Sequence, residues 1–219
     1  MALALITGAN RGIGLEFCRQ LKARGDDVIA VCRKSSKELD SLGVRVEAGI
    51  DVADASAVAE LRRRLDGVKI DLLINNAGIL KAGSFDNPDF DGIERQLQVN
   101  AIAPLRVTQT LAPLLKEGAK VVIITSRMGS MGDNGSGGYY GYRMSKAAVN
   151  AAGVSLAHDL RGRNIAVALL HPGMVNTEMT HHGIPPEESV RGLLQRIDAL
   201  TLETTGRFTH AVTGEALPW

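Results

Sequence analysis

Short runs of aliphatic residues recur along the chain, and they alternate with longer segments that mix polar and apolar positions at helical spacing. The aliphatic runs are rich in Val, Ile and Leu, which is typical of parallel strands buried on both faces. The mixed segments between them have the lengths of crossover helices. The pattern predicts strands at residues 2–6, 27–32, 44–48, 70–74, 120–125 and 165–170.

The intervening segments predict helices at residues 13–24, 55–65, 88 to about 115, 141–161 and 186–200. Asn87 stands before Pro88, and this pair predicts an N-cap followed by a proline in the first helical turn. The alternation predicts an α/β fold, a single Rossmann-type doubly wound parallel sheet with helices on both faces. We expect residues 1–219 to form one domain, since this length provides for one core and not for two.

Composition narrows the function classes. The chain has 25 Lys and Arg against 24 Asp and Glu, a net charge of +1. This balance gives no electrostatic attraction to nucleic acid or to an anionic membrane, so we expect a small-molecule partner. The cysteines, Cys18 and Cys32, have no metal or redox spacing, and the histidines show none beyond the adjacent His181 and His182, so no metal site is predicted. Small buried cysteines and the lack of a signal-like or membrane-spanning apolar run favour a cytoplasmic protein.

A glycine-rich segment follows the first predicted strand and opens the first helix. Backbone N–H groups and the positive end of the helix dipole at such a turn suit a pyrophosphate. The spacing differs from the common dinucleotide fingerprint G-x-G-x-x-G, but the physical roles of the glycines are the same: a sharp exit from the strand, close approach to phosphate, and close helix packing. The residues predicted to bind the cofactor in this turn are Gly8, Asn10, Arg11, Gly12, Ile13 and Gly14.

The end of the second strand indicates which dinucleotide is bound. NAD selectivity normally needs a carboxylate there, whereas this chain has Arg33 and Lys34 and no acid. Arg33, together with Arg11, suits the 2′-phosphate of NADP, so NADP is favoured over NAD. Asp51 follows the third strand and is a candidate either for the adenine amino group or for capping the next helix.

Tyr142 and Lys146 are one helical turn apart and share a face of a predicted helix. An ammonium group close to a phenol favours the ionised phenol, so we expect Lys146 to lower the pKa of Tyr142 from its usual value of about 10. A phenol adjusted in this way is a plausible acid near neutral pH. Neither Tyr139 nor Tyr140 has a lysine at the same distance.

These motifs occur in the order found in one known family. They are Thr7–Gly14, Asn75-Asn76-Ala77-Gly78, Asn100, Ser126, Tyr142 with Lys146, and Pro172-Gly173 followed by Thr177. The chain resembles the short-chain dehydrogenase/reductase family along nearly its whole length. Within that family it is most similar to the sniffer and C-factor-like carbonyl reductases. The features that indicate this are the motif Tyr-Arg-x-Ser-Lys, the compact length and the final residues Leu217-Pro218-Trp219.

The resemblance implies roles for individual residues. Tyr142 would donate a proton to a carbonyl oxygen, Lys146 would lower the phenol pKa and hold the cofactor ribose, and Ser126 would bind the substrate oxygen. Asn100 would hold a water of a proton relay, and Pro104 would leave the Asn100 carbonyl free for it because proline has no N–H. The remaining cofactor contacts implied are Asp51, Val52, Asn76, Ala77, Gly78, Pro172, Gly173, Val175 and Thr177.

The expected function is NADPH-dependent reduction of aldehydes and ketones. The alternative is a regulatory or signalling protein that binds the cofactor without needing turnover. Two departures from the family bear on the substrate pocket: a longer, glycine-rich stretch at Gly132–Gly138 and a short stretch at 177–186. Small residues at Ala147, Ala148, Ala151, Ala152 and Gly153 favour a homodimer or homotetramer, unless they only pack on their own sheet.

Overall fold

The computed structural model covers residues 1–219 and contains one seven-stranded parallel sheet. The strand order is β3-β2-β1-β4-β5-β6-β7, and every neighbouring pair is parallel. Strands β1 to β3 extend the sheet toward one edge and β4 to β7 extend it toward the other. The point between β1 and β4 where this order changes is where open parallel sheets form a ligand crevice. The strands are β1 Leu3–Thr7, β2 Asp27–Val31, β3 Arg45–Glu47, β4 Ile70–Asn75, β5 Leu115–Ile124, β6 Ala166–His171 and β7 Phe208–His210.

Helices cover both faces of the sheet, which confirms the predicted doubly wound architecture. They are α1 Gly12–Ala23, α2 Lys37–Asp40, α3 Ala55–Arg64, α4 Phe90–Leu97, α5 Ala103–Leu111, α6 Tyr140–Asp159 and α7 Pro186–Asp198. One buried cluster joins the sheet to α3, α5 and α6, and a second joins its other face to α1, α2 and α7. Successive residues of β1 alternate between the clusters, as the pleat requires: Leu5 belongs to the first, and Ala4 and Ile6 to the second.

The predicted helix from residue 88 to about 115 is not one regular helix. It begins at Phe90, and the side chain of Asp89 accepts a hydrogen bond from the Gly92 N–H at 3.1 Å. Asp89 therefore takes the capping role, and the predicted N-cap at Asn87 is wrong. A π-helical segment, Gln98–Ile102, separates α4 from α5, and Leu115 already belongs to β5.

Two short elements were not predicted from the sequence. The helix α2 has 4 residues and the strand β7 has 3, which is too short for a periodic pattern to emerge. β7 pairs with β6 at the sheet edge through Leu169↔Phe208 and His171↔His210. No helix of the protein combines the length and the apolar character needed to cross a membrane.

Candidate active site

The glycine turn between β1 and α1 packs tightly against the segment that follows β4. Gly8 and Gly12 have φ angles of 66° and 53°, which favour glycine. A Cβ atom on Gly8 would lie 2.8 Å from the Ala77 Cα, and one on Gly14 would meet the Gly8 carbonyl and lie 2.6 Å from the Asn76 amide nitrogen. The turn therefore tolerates only glycine at Gly8 and Gly14.

The N-terminus of α1 is suited to an anion. Arg11 occupies the N-cap position without a side-chain cap hydrogen bond, and the first turn of α1 contains no acidic residue. The N–H groups that a helix leaves without intrahelical partners are thus not taken by a carboxylate of this chain. Such an end fits a pyrophosphate, which needs donors and a positive dipole end.

Hydrogen bonds fix Asn76 and Ala77 against β1. The Asn76 amide donates to the carbonyls of Thr7 and Gly8 at 3.0 and 3.2 Å. In return, the Thr7 hydroxyl accepts from the backbone N–H groups of Asn76 and Ala77 at 3.0 and 3.1 Å. These four hydrogen bonds join the loop after β4 to the end of β1 and the glycine turn, and the two segments together form the base of the crevice.

Arg33 is exposed directly beyond β2, at the end of the crevice expected to hold the adenosine. Arg11, expected to assist it, forms an ion pair with Glu178 in this structure. Burial acts to raise the pKa of Asp51, but hydrogen bonds from the Ala53 N–H and from Arg95, both at 2.9 Å, outweigh it and the pKa is lowered. Asp54, and not Asp51, caps α3.

Ser126, Tyr142 and Lys146 are buried together at the carboxyl end of β5. Three hydroxyls lie nearby. Only that of Thr125 has its proton committed to a partner, and of the other two only Ser126 influences the Tyr142 phenol by hydrogen bonding. The Thr125 hydroxyl donates to Asn150 at 2.7 Å, and the Ser130 hydroxyl accepts from the Asp133 N–H at 3.0 Å. The Ser126 oxygen accepts from the Met128 N–H at 3.1 Å, which leaves its proton for another acceptor.

The pKa of Tyr142 is raised, because burial disfavours the phenolate more than the hydrogen-bonding influence of Ser126 favours it. The net shift is therefore opposite to the lowering predicted from Lys146, because burial is the larger effect. The Lys146 ammonium lies 5.7 Å from the centre of the Tyr142 ring and donates to the Ile124 carbonyl at 2.9 Å. Burial also lowers the pKa of Lys146 itself, to about 8.

Asn100 lies in the π-helical segment and is almost fully buried. Its amide donates to the Ile79 carbonyl at 2.8 Å and to the Ser145 hydroxyl at 3.0 Å, and its oxygen accepts from the Ile79 N–H at 2.8 Å. Pro104 lacks the N–H that would bond the Asn100 carbonyl in an α-helix. The helix has a wider, π-helical turn at this point. Asn100 therefore connects the loop after β4 with the helix of Tyr142.

The loop after β6 reaches back to the glycine turn. Gly173 follows Pro172 with a φ of 87°, and a Cβ atom on Gly12 would lie 3.3 Å from the Thr177 methyl group. Val175 is buried and pairs with Ile184. The predicted cofactor-binding segments after β4 and β6 therefore both lie against the glycine turn. Val52, which follows β3, lies in the same region and lines a small cavity with Thr7 and Ala77.

Sequence reasoning missed Gln96, a buried amide one turn before Asn100. Its oxygen accepts from the Lys81 N–H at 2.9 Å, and its amide donates to the Gly92 carbonyl at 3.2 Å. A Cβ atom on Gly141 would lie 2.5 Å from the Gln96 amide nitrogen, so α6 packs directly against it. The signal was the i, i+4 spacing of two amides within one helix. No group of three or more His, Cys, Asp or Glu side chains is placed to hold a metal ion.

A phosphate-suited turn at a doubly wound crevice, joined to a buried Ser, Tyr and Lys, defines a dinucleotide-dependent oxidoreductase. Residues 2–187 match the family model described as short chain dehydrogenase. The protein belongs to the short-chain dehydrogenase family.

Known relatives extend over most or all of the chain. It is 45% identical to 1-hydroxy-2-glutathionyl-2-methyl-3-butene dehydrogenase of a Rhodococcus species, with 100% of both proteins covered. It is 44% identical to C-signal of Myxococcus xanthus over 68% of this chain and 93% of that protein.

Two solved structures share the fold at full length. Carbonyl reductase Sniffer of D. melanogaster matches with a TM-score of 0.94 at 30% identity, covering 100% of each chain. The NADPH-bound carbonyl reductase from chicken fatty liver matches with a TM-score of 0.89 at 32% identity, covering 100% of this chain and 99% of the other. The resemblance to carbonyl reductases expected from the sequence is confirmed.

Proposed function

We propose that this protein reduces aldehyde and ketone carbonyls to alcohols with NADPH, with Tyr142 as the proton donor. The observation that carries the proposal is the burial of Ser126, Tyr142 and Lys146 in one cluster beside a turn suited to pyrophosphate. A protein that only bound the dinucleotide would need the turn but not a buried acid next to a hydroxyl donor.

The side chains divide the work at the substrate oxygen. The Ser126 hydroxyl, whose oxygen already accepts from the Met128 N–H, donates a hydrogen bond to the carbonyl oxygen and orients it. Burial keeps the Tyr142 phenol protonated at neutral pH, so it releases its proton only to an oxygen that is gaining negative charge. Bound NADPH supplies the hydride to the carbonyl carbon. Lys146, largely cationic below a pKa of about 8, stabilises the phenolate left behind.

The crevice is proposed to hold NADPH along its length. The turn Gly8–Gly14 and the N-terminus of α1 suit the pyrophosphate, and Arg33 suits the 2′-phosphate because no acid stands at the end of β2 to prefer a hydroxyl. Asn76–Gly78 and the loop Pro172–Thr177 would flank the nicotinamide half. The chicken liver relative, which is NADPH-bound, supports this choice of cofactor.

The test is a screen of aldehydes, ketones and quinones with NADPH absorbance as the readout. Consumption of NADPH with at least one class of carbonyl is expected. A parallel titration of NADPH fluorescence measures binding without turnover. Tight binding with no consumption across the screen would overturn the reductase proposal and favour the signalling alternative.

That alternative has one observation in its favour, the 44% identity to a protein named C-signal. It is a cofactor-binding regulatory or signalling protein on the same fold. The buried Ser126, Tyr142 and Lys146 favour the reductase, because a signalling role does not require a proton donor poised beside a hydroxyl.

The direction of the reaction is a separate question. The 45% identical Rhodococcus relative is named as a dehydrogenase of a hydroxylated glutathionyl compound. By microscopic reversibility the same residues serve oxidation, with Tyr142 accepting a proton. Assays with NADP⁺ and alcohols, including one carrying a glutathionyl thioether beside the hydroxyl, compare the two directions.

We further propose that the protein is a cytoplasmic homodimer or homotetramer. The small residues of α6 divide between two faces. Gly153 packs on the sheet, where a Cβ atom would lie 2.6 Å from Leu169, whereas Ala151 is exposed. Ile102 and Leu105 are 40% and 43% exposed in the π-helical segment and α5. Exposed small and aliphatic side chains on helices support self-association.

A further inference from the structure

The stretch between the two proposed catalytic positions, residues 127–139, is called the pocket loop below. It begins directly after Ser126 and ends three residues before Tyr142. In the proposed mechanism both of these residues contact the carbonyl oxygen. The substituents of that carbonyl therefore lie beside the pocket loop, whose position affects which substituents fit.

The pocket loop is attached to the end of the chain. The Gly132 N–H donates to the Trp219 carbonyl at 2.8 Å. A Cβ atom on Gly132 would lie 3.2 Å from that carbonyl oxygen and 3.5 Å from the Pro218 Cβ, so the two segments are in close contact. This contact is made by the first residue of the glycine-rich stretch Gly132–Gly138.

A second contact joins the same two segments. Arg127, the residue after Ser126, forms ion pairs with Asp133 of the pocket loop at 3.2 Å and with Glu215 at 3.3 Å. All three side chains are well exposed, and exposed ion pairs are individually weak. Their geometric effect is to link the start of the pocket loop, its middle and the end of the chain through one guanidinium.

The end of the chain is itself firmly held. Residues 208–219, called the C-terminal hairpin below, double back so that the Leu217 N–H donates to the Phe208 carbonyl at 2.9 Å. Phe208 and Leu217 are buried with Leu169 of β6. The Trp219 ring stacks on Phe208 with ring centres 5.5 Å apart and an interplanar angle of 28°. The C-terminal hairpin is thus an extension of the sheet.

The other end of the pocket loop has separate supports. The Tyr139 N–H donates to the Gly83 carbonyl at 2.9 Å, and Arg143 donates to the Ser136 hydroxyl at 2.9 Å. Between Gly132 and Ser136, a Cβ atom on Gly135 would meet nothing within 4 Å. The loop is therefore held at three places. Nearest Ser126, Gly129 packs on α6, where a Cβ atom would lie 2.7 Å from the Lys146 carbonyl carbon. Gly132 is held by the C-terminal hairpin, and Ser136 and Tyr139 are held at the far end.

We propose that the C-terminal hairpin, through Trp219 and Glu215, holds the pocket loop and so determines which carbonyl substituents the site accepts. The proposal rests on the proposed reductase function. Trp219 is a positioning residue: it acts through Gly132 and the pocket loop and takes no part in proton or hydride transfer.

The test compares Trp219→Ala with Trp219→Phe, and Gly132→Ala with Gly135→Ala. Gly135 lies in the same loop, has no positive φ and has space for a methyl group, so it controls for loss of a loop glycine. Propanal and a bulky aryl ketone are the substrates, and the readouts are KM and kcat for each and the Kd for NADPH.

Trp219→Ala and Gly132→Ala are expected to raise KM for the aryl ketone by about fivefold or more relative to propanal. The Kd for NADPH should stay unchanged in both variants. Trp219→Phe, which can still stack on Phe208, and Gly135→Ala should behave as the wild type. The effects of Trp219→Ala and Gly132→Ala should be less than additive in the double variant, since both loosen one contact.

Equal KM changes for both substrates, or a parallel loss of NADPH binding, would show general damage and overturn the proposal. Unchanged KM values would also overturn it. Amide hydrogen exchange provides a readout that needs no activity: residues 130–138 should exchange faster in Trp219→Ala than in the wild type or Gly135→Ala. If the wild type reduces no carbonyl, the proposed function fails, and exchange still decides whether the hairpin holds the loop.

Discussion

The ammonium of Lys146, on α6, donates a hydrogen bond to the carbonyl oxygen of Ile124, the last residue of β5, at 2.9 Å. Both residues are buried. The contact places the lysine charge at the strand end, where a Cβ atom on Gly78 would lie 3.9 Å from it. The helix of Tyr142 is thereby anchored to the strand that precedes Ser126, and the anchoring group is a buried cation.

The buried cation makes stability depend on pH. Burial lowers the pKa of Lys146 to about 8 from the 10.5 of an exposed lysine, so between these values the unfolded chain binds more protons. The unfolding free energy contributed by Lys146 should therefore rise as pH increases from 8 to 10.5, by on the order of 3 kcal/mol in total. In urea unfolding without cofactor, any stability advantage of Lys146→Met over the wild type should shrink across this range.

Lys69→Met controls for the loss of one positive charge, because Lys69 is exposed. Its stability difference from the wild type should stay nearly constant over the same pH range. A difference for Lys146→Met that does not change with pH would contradict the burial of a charged lysine.

Tyr142→Phe should lower turnover by about a hundred-fold or more and leave NADPH affinity nearly unchanged, because only the proton donor is lost. Steady-state kinetics and a fluorescence titration of NADPH measure the two quantities. Tyr139→Phe and Tyr140→Phe are matched controls: both rings are about 40% exposed, and we expect turnover close to the wild type. Wild-type turnover in Tyr142→Phe would rule out the assigned proton donor.

Arg33→Ala should raise KM for NADPH and leave KM for NADH nearly unaffected. The charge-assisted hydrogen bonds to a 2′-phosphate are worth roughly 1.5–3 kcal/mol, which corresponds to a change of about ten- to hundred-fold. Arg63→Ala, which removes an exposed cation from α3, should change neither value. Equal effects of Arg33→Ala on the two cofactors would refute the placement of the adenosine phosphate.

Self-association should be visible as a dimer or tetramer mass by light scattering at micromolar concentration. Ala151→Glu places a charge on the exposed face of α6 and is expected to shift the mass toward the monomer. Ala59→Glu, on the exposed face of α3, is the matched control and should leave the mass unchanged. A monomeric wild type would count against this interface.

Substrate selectivity should be modest. The segment 177–186 contains no helical lid: the Asn176 N–H bonds the Ile184 carbonyl at 2.9 Å and the Ile184 N–H bonds the Met174 carbonyl at 2.8 Å, which closes it into a compact turn. A site covered by so short a segment discriminates less through remote contacts. Specificity constants for unrelated aldehydes and ketones should lie within about two orders of magnitude of each other. A million-fold preference among close analogues would exclude the open-site interpretation.

The sequence predicted the layout of the site because parallel strands end at one edge of the sheet. Placing the residues after β1, β4, β5 and β6 was enough to bring the glycine turn, Asn76, Ser126 and Pro172 together. The need for glycine at Gly8 and Gly14 was also predicted from the sequence. In the structure a Cβ atom at either position would collide with its neighbours.

Other features depend on tertiary contacts that no local pattern encodes. Asp89 and not Asn87 caps α4, although the residue before Pro88 was the one that the local pattern indicated. The direction of the Tyr142 pKa shift depends on the depth of burial, which outweighs the effect of a charge expected from i, i+4 spacing alone. The strand β7, with its polar Thr209 and His210, is a strand because β6 lies beside it.

The strand order has a consequence for how this protein acquires activity. β1 pairs with β4 and not only with β2, and the site is assembled from turns that are separated by most of the chain. No short contiguous fragment contains the crevice, and loop-closure entropy makes such distant pairings slow to form. Regain of catalysis after dilution from denaturant would therefore measure when β1 and β4 have paired, so the recovery of enzymatic activity times the assembly of the central sheet.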